Sequence, residues 1–202
     1  MASLLPPKDL ARVKLNLAGI QFASFTRLFR AKHPDPLGFG KARSRFADPR
    51  PLSPTERFGV LYLGQSPEVS FVEAVLRDDA VGTVGPFPLA WSELESWNLA
   101  EISSTERLNL VDLRGAGMMR LRMPSDALRG SDHGPGMQWS LALYQHPELP
   151  DGILYHSRLN EMVCVAIYDR AVAKLHCNKI LRVVDYSRLH EILAKYRIEL
   201  MV

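Results

Sequence analysis

The run Gly59-Val60-Leu61-Tyr62-Leu63-Gly64, followed almost at once by Ser66-Pro67-Glu68, constrains this chain most. Continuous apolar residues between two glycines read as a short buried strand. Ser66 is a good N-cap, Pro67 suits the first helical position, and Glu68 complements the positive helix end. Val69, Val72 and Leu76 then recur at helical spacing and define an apolar stripe. Glu73 lies four residues after Val69 and three before Leu76, so it flanks or joins that stripe. A carboxylate facing a core is costly unless paired, and arginines of the preceding segment are the obvious partners. From periodicity alone the residue could be a structural ion pair, a borderline surface group or a functional carboxylate.

The rest of the chain gives a coarser pattern. Residues 1 to 20 read as an appended arm with a short helix after Pro7, and a strand spans about Ala23 to Phe29. Lys32 to Arg57 is a long loop rich in Gly and Pro, and irregular segments of this length in compact domains are frequently functional. Gly82 to Pro88 is a breaker cluster, Leu108 to Leu113 alternates like a half-buried strand, and Ser125 to Gly136 has loop composition. Gln138 to His146 reads as a helix ended by Pro147. Gly152 to Tyr155, Val163 to Tyr168 and Ile180 to Val184 read as strands, and Ser187 to Arg197 as an amphipathic helix capped by Ser187. Strands and helices follow without regular alternation, so the expected class is α+β: one domain with small central sheets flanked by helices.

Composition mainly excludes. A chain of 202 residues suits one domain, and a net charge of +3 gives no strong case for nucleic acid. The two cysteines form no disulfide framework; Cys164 lies in the apolar run VCVAIY, and Cys177 beside His176 is too little for a metal site. The N-terminus lacks a secretory pattern and no apolar run approaches the ~18 residues of a span, so a reducing cytoplasm and no membrane are expected. Gly38 and Gly40 lack the rest of a dinucleotide fingerprint, Ser157 has no nucleophile elbow, and Ala194 stands where a zinc-protease helix needs histidine. No metal is expected.

Two separated motifs carry more. The first comprises Arg27, the loop with Arg45, Tyr62 and the helix with Glu73. The second is Gly152-Ile153-Leu154-Tyr155-His156-Ser157-Arg158, leading into VCVAIYD. In this order they resemble the RES domain, a family named for its Arg, Glu and Ser residues, over roughly residues 22 to 185. The resemblance implies a RES domain over 21–202 and a fold similar to ADP-ribosyltransferases. It also implies a toxin that degrades NAD+ by cleaving the nicotinamide–ribose bond. Arg27 and Arg45 match the family's arginines and suit the pyrophosphate and nearby ribose, because guanidinium offers bidentate donors to phosphate oxygens. Glu73, as carboxylate, would stabilise an oxocarbenium-like ribose. Tyr62 would pack near the nicotinamide ribose, and Ser157 would be a positioning hydroxyl on that ribose or the carboxamide. Without the resemblance, Tyr62 is also readable as a half-buried strand tyrosine, and Ser157 as a strand-end hydroxyl serving local backbone.

The acceptor stays open among inorganic phosphate, water and a protein side chain. Phe71 stands where arginine-directed ADP-ribosyltransferases carry a second Glu, which modestly favours a small acceptor or a non-arginine target. A non-catalytic binding module would not need this polar set together, and a ribonuclease lacks support in charge or histidine clustering. The resemblance further implies an Xre-like antitoxin whose C-terminal end blocks the site and which supplies any DNA contact. Leu189, Ile192 and Leu193 of the last helix could serve self-association in a homo-oligomer, with core packing as the competing use.

Overall fold

The computed structural model describes residues 3–77, 82 and 84–201. Its largest sheet has eight strands in the order β1 (Leu17–Ile20), β6 (Leu108–Asp112), β7 (Gly152–His156), β8 (Val163–Tyr168), β3 (Val60–Gly64), β2 (Phe25–Arg30), β5 (Trp97–Ser104) and β9 (Leu175–Arg182). Neighbours are antiparallel except the parallel β6–β7 pair. A parallel pair, β4 (Phe87–Ala90) with β10 (Ile198–Met201), forms the second sheet. Helices α1 (Pro67–Phe71), α2 (Trp91–Glu95), α3 (Ala116–Arg120), α4 (Ser125–Arg129), α5 (Gly134–Tyr144) and α6 (Leu189–Lys195) are grouped around these sheets, which makes the class α+β.

The centre of the large sheet is buried on both faces, which explains its unbroken apolar sequence. Along β3, Val60 and Tyr62 pack with Phe46, Trp139, Ile153, Ala166 and Tyr168, while Leu61 and Leu63 join Phe29, Leu110, Leu154 and Val165 on the other side. The period of two thus sorts one continuous run into two cores. A third core gathers α1, α2, β5 and α6 around Phe71, Leu94, Trp97 and Ile192.

Several elements depart from the sequence expectation. The presumed arm ends in strand β1, with Leu17–Ile20 paired to Leu108–Val111, and both Leu10 and Leu15 are buried. Its pairing partner lies far along the chain, so no local pattern announces it. Ser125–Arg129 is helical, and α5 begins at Gly134 with Pro135 in its first turn; a Pro at that position starts a helix. The last helix begins at Leu189, its N-cap is Arg188, and Ser187 plays no capping part. Its stripe serves the core: Leu189 and Ile192 are each 6% exposed and Leu193 packs against the same cluster, which removes that stripe as a self-association surface. Residue 83 of the expected breaker cluster lies outside the described residues.

Candidate functional site

The turn from β3 into α1 is built for close packing. A Cβ on Gly64 would lie 2.5 Å from Val69 Cγ1 and 2.7 Å from Ser70 Oγ, so glycine lets the helix settle directly on the strand end. Ser66 Oγ accepts the Val69 amide at 3.4 Å, the expected cap. Ser70 Oγ meets Thr26 Oγ1 at 2.8 Å and donates to Thr26 O at 2.9 Å, which clamps α1 to β2. After Phe71 the helix widens into a π-helical segment, Val72–Leu76, in which the Arg77 amide donates to Val72 O at 2.8 Å. Val72, Val75 and Leu76 are buried, whereas Glu73 is half-buried and faces a cavity of about 440 Å3. Such π segments are rare and frequent at functional sites.

Arg27 lines the same cavity from β2. Its Nη1 donates to Pro36 O at 2.6 Å and its guanidinium lies 5.9 Å from the Phe29 ring centre. Burial pushes its pKa down to about 10, with Asp35 acting in the opposite sense, so it remains a cation at neutral pH. Arg45 enters from the long loop and donates from Nη1 to Gly130 O at 2.8 Å. Burial lowers its pKa, the like charge of Arg158 adds to that, and Tyr155, Glu73 and Tyr62 oppose it. The backbone beside Arg45 touches α5: a Cβ on Gly136 would lie 2.8 Å from Arg45 O. Gly136 therefore serves a close approach between helix and loop.

Tyr62 fixes that loop. Its hydroxyl oxygen accepts the Phe46 amide at 3.0 Å and lies 3.0 Å from Ser44 Oγ, so it grips the residues on both sides of Arg45. Phe46 is fully buried against Tyr155, and its carbonyl accepts Ser140 Oγ at 2.7 Å. Burial pushes the Tyr62 pKa up to about 12, which keeps the hydroxyl protonated. The structure thus brings Arg27, Arg45, Tyr62 and Glu73 into one cavity.

Ser157 stands apart from them. It is fully buried and is not one of the residues lining the cavity. Its Oγ accepts the Leu159 amide at 3.1 Å and the Asn160 amide at 3.4 Å, shaping the turn between β7 and β8. Beside it, Tyr155 and His156 at the end of β7 and Arg158 and Leu159 of the turn do line the cavity. Adjacent strand residues normally point to opposite faces, yet at the end of β7 both Tyr155 and His156 line the cavity. His133, at the start of α5, also lines it, and burial together with Arg45 and Arg43 holds its imidazole below the usual pKa. The histidines are dispersed along the sequence, so no motif points to His133. Cys164 lines the cavity as a protonated thiol, its pKa raised to about 12 by burial and then by Glu73. Among the described residues, no group of three or more His, Cys, Asp or Glu could hold a metal ion, and no helix is long and apolar enough to cross a membrane.

Among the described residues, fold and cavity define an α+β protein with a cationic pocket into which Glu73 comes from a π-helical segment. The chain belongs to the RES domain family, whose model matches residues 17–188. It is 40% identical over 127 residues to the "Probable toxin y4kH" of Sinorhizobium fredii (strain NBRC 101917 / NGR234), covering 62% of this chain and 100% of that protein. Its fold is similar to a chain in the crystal structure of the M. tuberculosis MbcT-MbcA toxin-antitoxin complex. The TM-score is 0.65 at 19% identity, covering 94% of this chain and 100% of that one.

Proposed function

We propose that this protein is the toxin of a bacterial toxin–antitoxin pair and that it consumes NAD+ by cleaving the nicotinamide–ribose bond. The observation that carries the reading is one cavity of about 440 Å3 lined by Arg27, Arg45, Tyr62 and Glu73. Ligand sites commonly have volumes of roughly 300–1,000 Å3. Two guanidinium groups suit the dianionic pyrophosphate and a carboxylate suits the cationic nicotinamide ribose. When the C1′–N bond breaks, its electron pair leaves with the nicotinamide nitrogen, and positive charge develops on the ribose toward Glu73. An oxygen of phosphate or water then bonds to C1′, and the acceptor releases its proton. Phosphate gives ADP-ribose 1-phosphate and water gives ADP-ribose.

A small-molecule acceptor or a non-arginine target is favoured over arginine-directed ADP-ribosylation by one structural detail. Phe71, where a second carboxylate would stand, is 1% exposed and packed in the third core. The kinship with a protein named as a probable toxin and the likeness to a toxin-antitoxin complex support the biological role. An Xre-like antitoxin that obstructs the cavity is part of the proposal.

The test is NAD+ turnover by purified protein, with and without phosphate, followed by product mass. Phosphate-dependent ADP-ribose 1-phosphate marks a phosphorylase, and ADP-ribose alone marks a glycohydrolase. Growth arrest in cells without NAD+ loss in either assay overturns the reading and puts protein ADP-ribosylation first.

A further inference from the structure

The family match ends at residue 188, and the chain continues through α6, Tyr196 and β10. This segment is firmly seated. Leu189 and Ile192 are buried in the core that also holds Phe71 and Val72, and the Phe87 amide donates to Arg197 O at 2.9 Å. Tyr196 stands between them, and its hydroxyl reaches two elements that each carry a wall of the cavity. It donates to Glu68 Oε1 on α1 at 2.6 Å and accepts from Asn160 Nδ2 of the β7–β8 turn at 3.1 Å. Lys195 Nζ donates to the same Glu68 oxygen at 2.7 Å, with 61% of its side chain exposed.

We propose that Tyr196 is a positioning residue: its hydroxyl ties the start of α1 to the β7–β8 turn and so sets the spacing between Glu73 and the wall formed by His156 and Arg158. Each tied element is internally rigid, which is what lets a single strut matter. Along α1, Ser66 caps the helix and the Val72 amide donates to Glu68 O, so a shift at Glu68 carries the π segment and Glu73 with it. In the turn, Ser157 N donates to Met162 O at 2.8 Å, Glu161 N to Ser157 O at 3.1 Å, and the Met162 amide to Asn160 Oδ1 at 3.3 Å. A shift at Asn160 therefore carries Arg158 and Leu159. Burial pushes the Glu68 carboxyl up, but Lys195 and Tyr196 outweigh it and hold its pKa below the usual range. The bond from Tyr196 is thus charge-assisted at neutral pH.

The kinetic half of the test rests on the NAD+ reading, so amide hydrogen exchange accompanies it. Tyr196→Phe keeps the ring and removes both bonds. Exchange of the Leu159 and Asn160 amides is expected to accelerate on the order of tenfold. NAD+ turnover should fall on the order of tenfold, in kcat more than in KM, because a displaced carboxylate loses transition-state contact. Glu68→Gln retains an oxygen acceptor but loses the charge and should show a smaller loss than Glu68→Ala, which should match Tyr196→Phe. The double variant Glu68→Ala/Tyr196→Phe should be no worse than either single one. Unchanged exchange and unchanged kcat in Tyr196→Phe, or effects that sum in the double variant, overturn the proposal. If the parent protein consumes no NAD+, the proposed function fails alone and the exchange data still decide whether the strut exists.

Discussion

Tyr62→Phe separates two roles that one residue could play. The substitution leaves the ring in place and removes the oxygen that accepts the Phe46 amide and contacts Ser44 Oγ, both at 3.0 Å. Each bond contributes about 1 kcal/mol net, and an amide left without a partner adds to the loss, so a destabilisation of about 2 kcal/mol is expected. For a domain of this size that corresponds to a fall in Tm of roughly 4–8 °C. Urea unfolding should show a lower midpoint at unchanged slope, since the surface exposed on unfolding is the same. Because Ser44 and Phe46 flank Arg45, activity should fall together with stability, and a second variant, Ser44→Ala, should share part of the loss. Full stability with lost NAD+ turnover would refute the reasoning, because the hydroxyl would then act on substrate and not on the loop.

The other expectations are simpler to state. Glu73→Gln preserves shape and removes charge, and should lower turnover by on the order of a hundredfold or more while the far-ultraviolet spectrum and Tm stay near those of the parent. Gly152→Ala would place a Cβ 2.2 Å from Ala166 O, a backbone atom of the neighbouring strand, and should cost about 3 kcal/mol in denaturant titrations. Trp139 Nε1 donates to Leu4 O at 2.9 Å, so Trp139→Phe should release the N-terminal segment and hasten limited proteolysis there. Asp48 is 3% exposed; burial raises its pKa, and bonds from Arg50 and from the Phe58 amide more than reverse that. Its folded pKa is thus depressed, so its contribution is present above the unfolded value near 3.9 and is lost as pH falls through the folded value. Asp48→Asn should therefore narrow its stability gap from the parent protein as unfolding is measured at progressively lower pH.

What the sequence made legible was whatever its neighbours in the chain decide. The β3–α1 unit was readable because a glycine-bounded apolar run and a Ser-Pro-Glu start are local signals, and both act as expected. Strand β5 is hard to read in the sequence although Trp97, Leu99 and Ile102 are buried while Asn98, Glu101 and Ser103 are not, because its polar residues mask the alternation. Helix α4 and the start of α5 were hidden by Gly, Ser and Pro, residues that here serve a helix start and the contact with Arg45. Strands β1, β4 and β10 take partners distant in sequence, so nothing local specifies them.

Site residues obey the same distinction, and Ser157 shows why motif and contact differ. A motif marks a position whose identity matters, but the physical reason can be one shell away from the ligand. Ser157 Oγ accepts the Leu159 and Asn160 amides, and in the turn it shapes Arg158 and Leu159 line the cavity. Tyr62 behaves alike toward Arg45. Glu73 differs because its placement is itself unusual. It sits in the π-helical segment, where Val72, Val75 and Leu76 fill the core and the carboxylate stays half-buried beside the cavity. Regular α-helical spacing could put Glu73 on or beside the apolar stripe but could not say which, because the wider turn sends Val72, Val75 and Leu76 into the core that holds Leu28, Trp97 and Leu99. The role of a Ser or Tyr in such a site is therefore read from its hydrogen bonds, and that of its carboxylate from the helix that carries it.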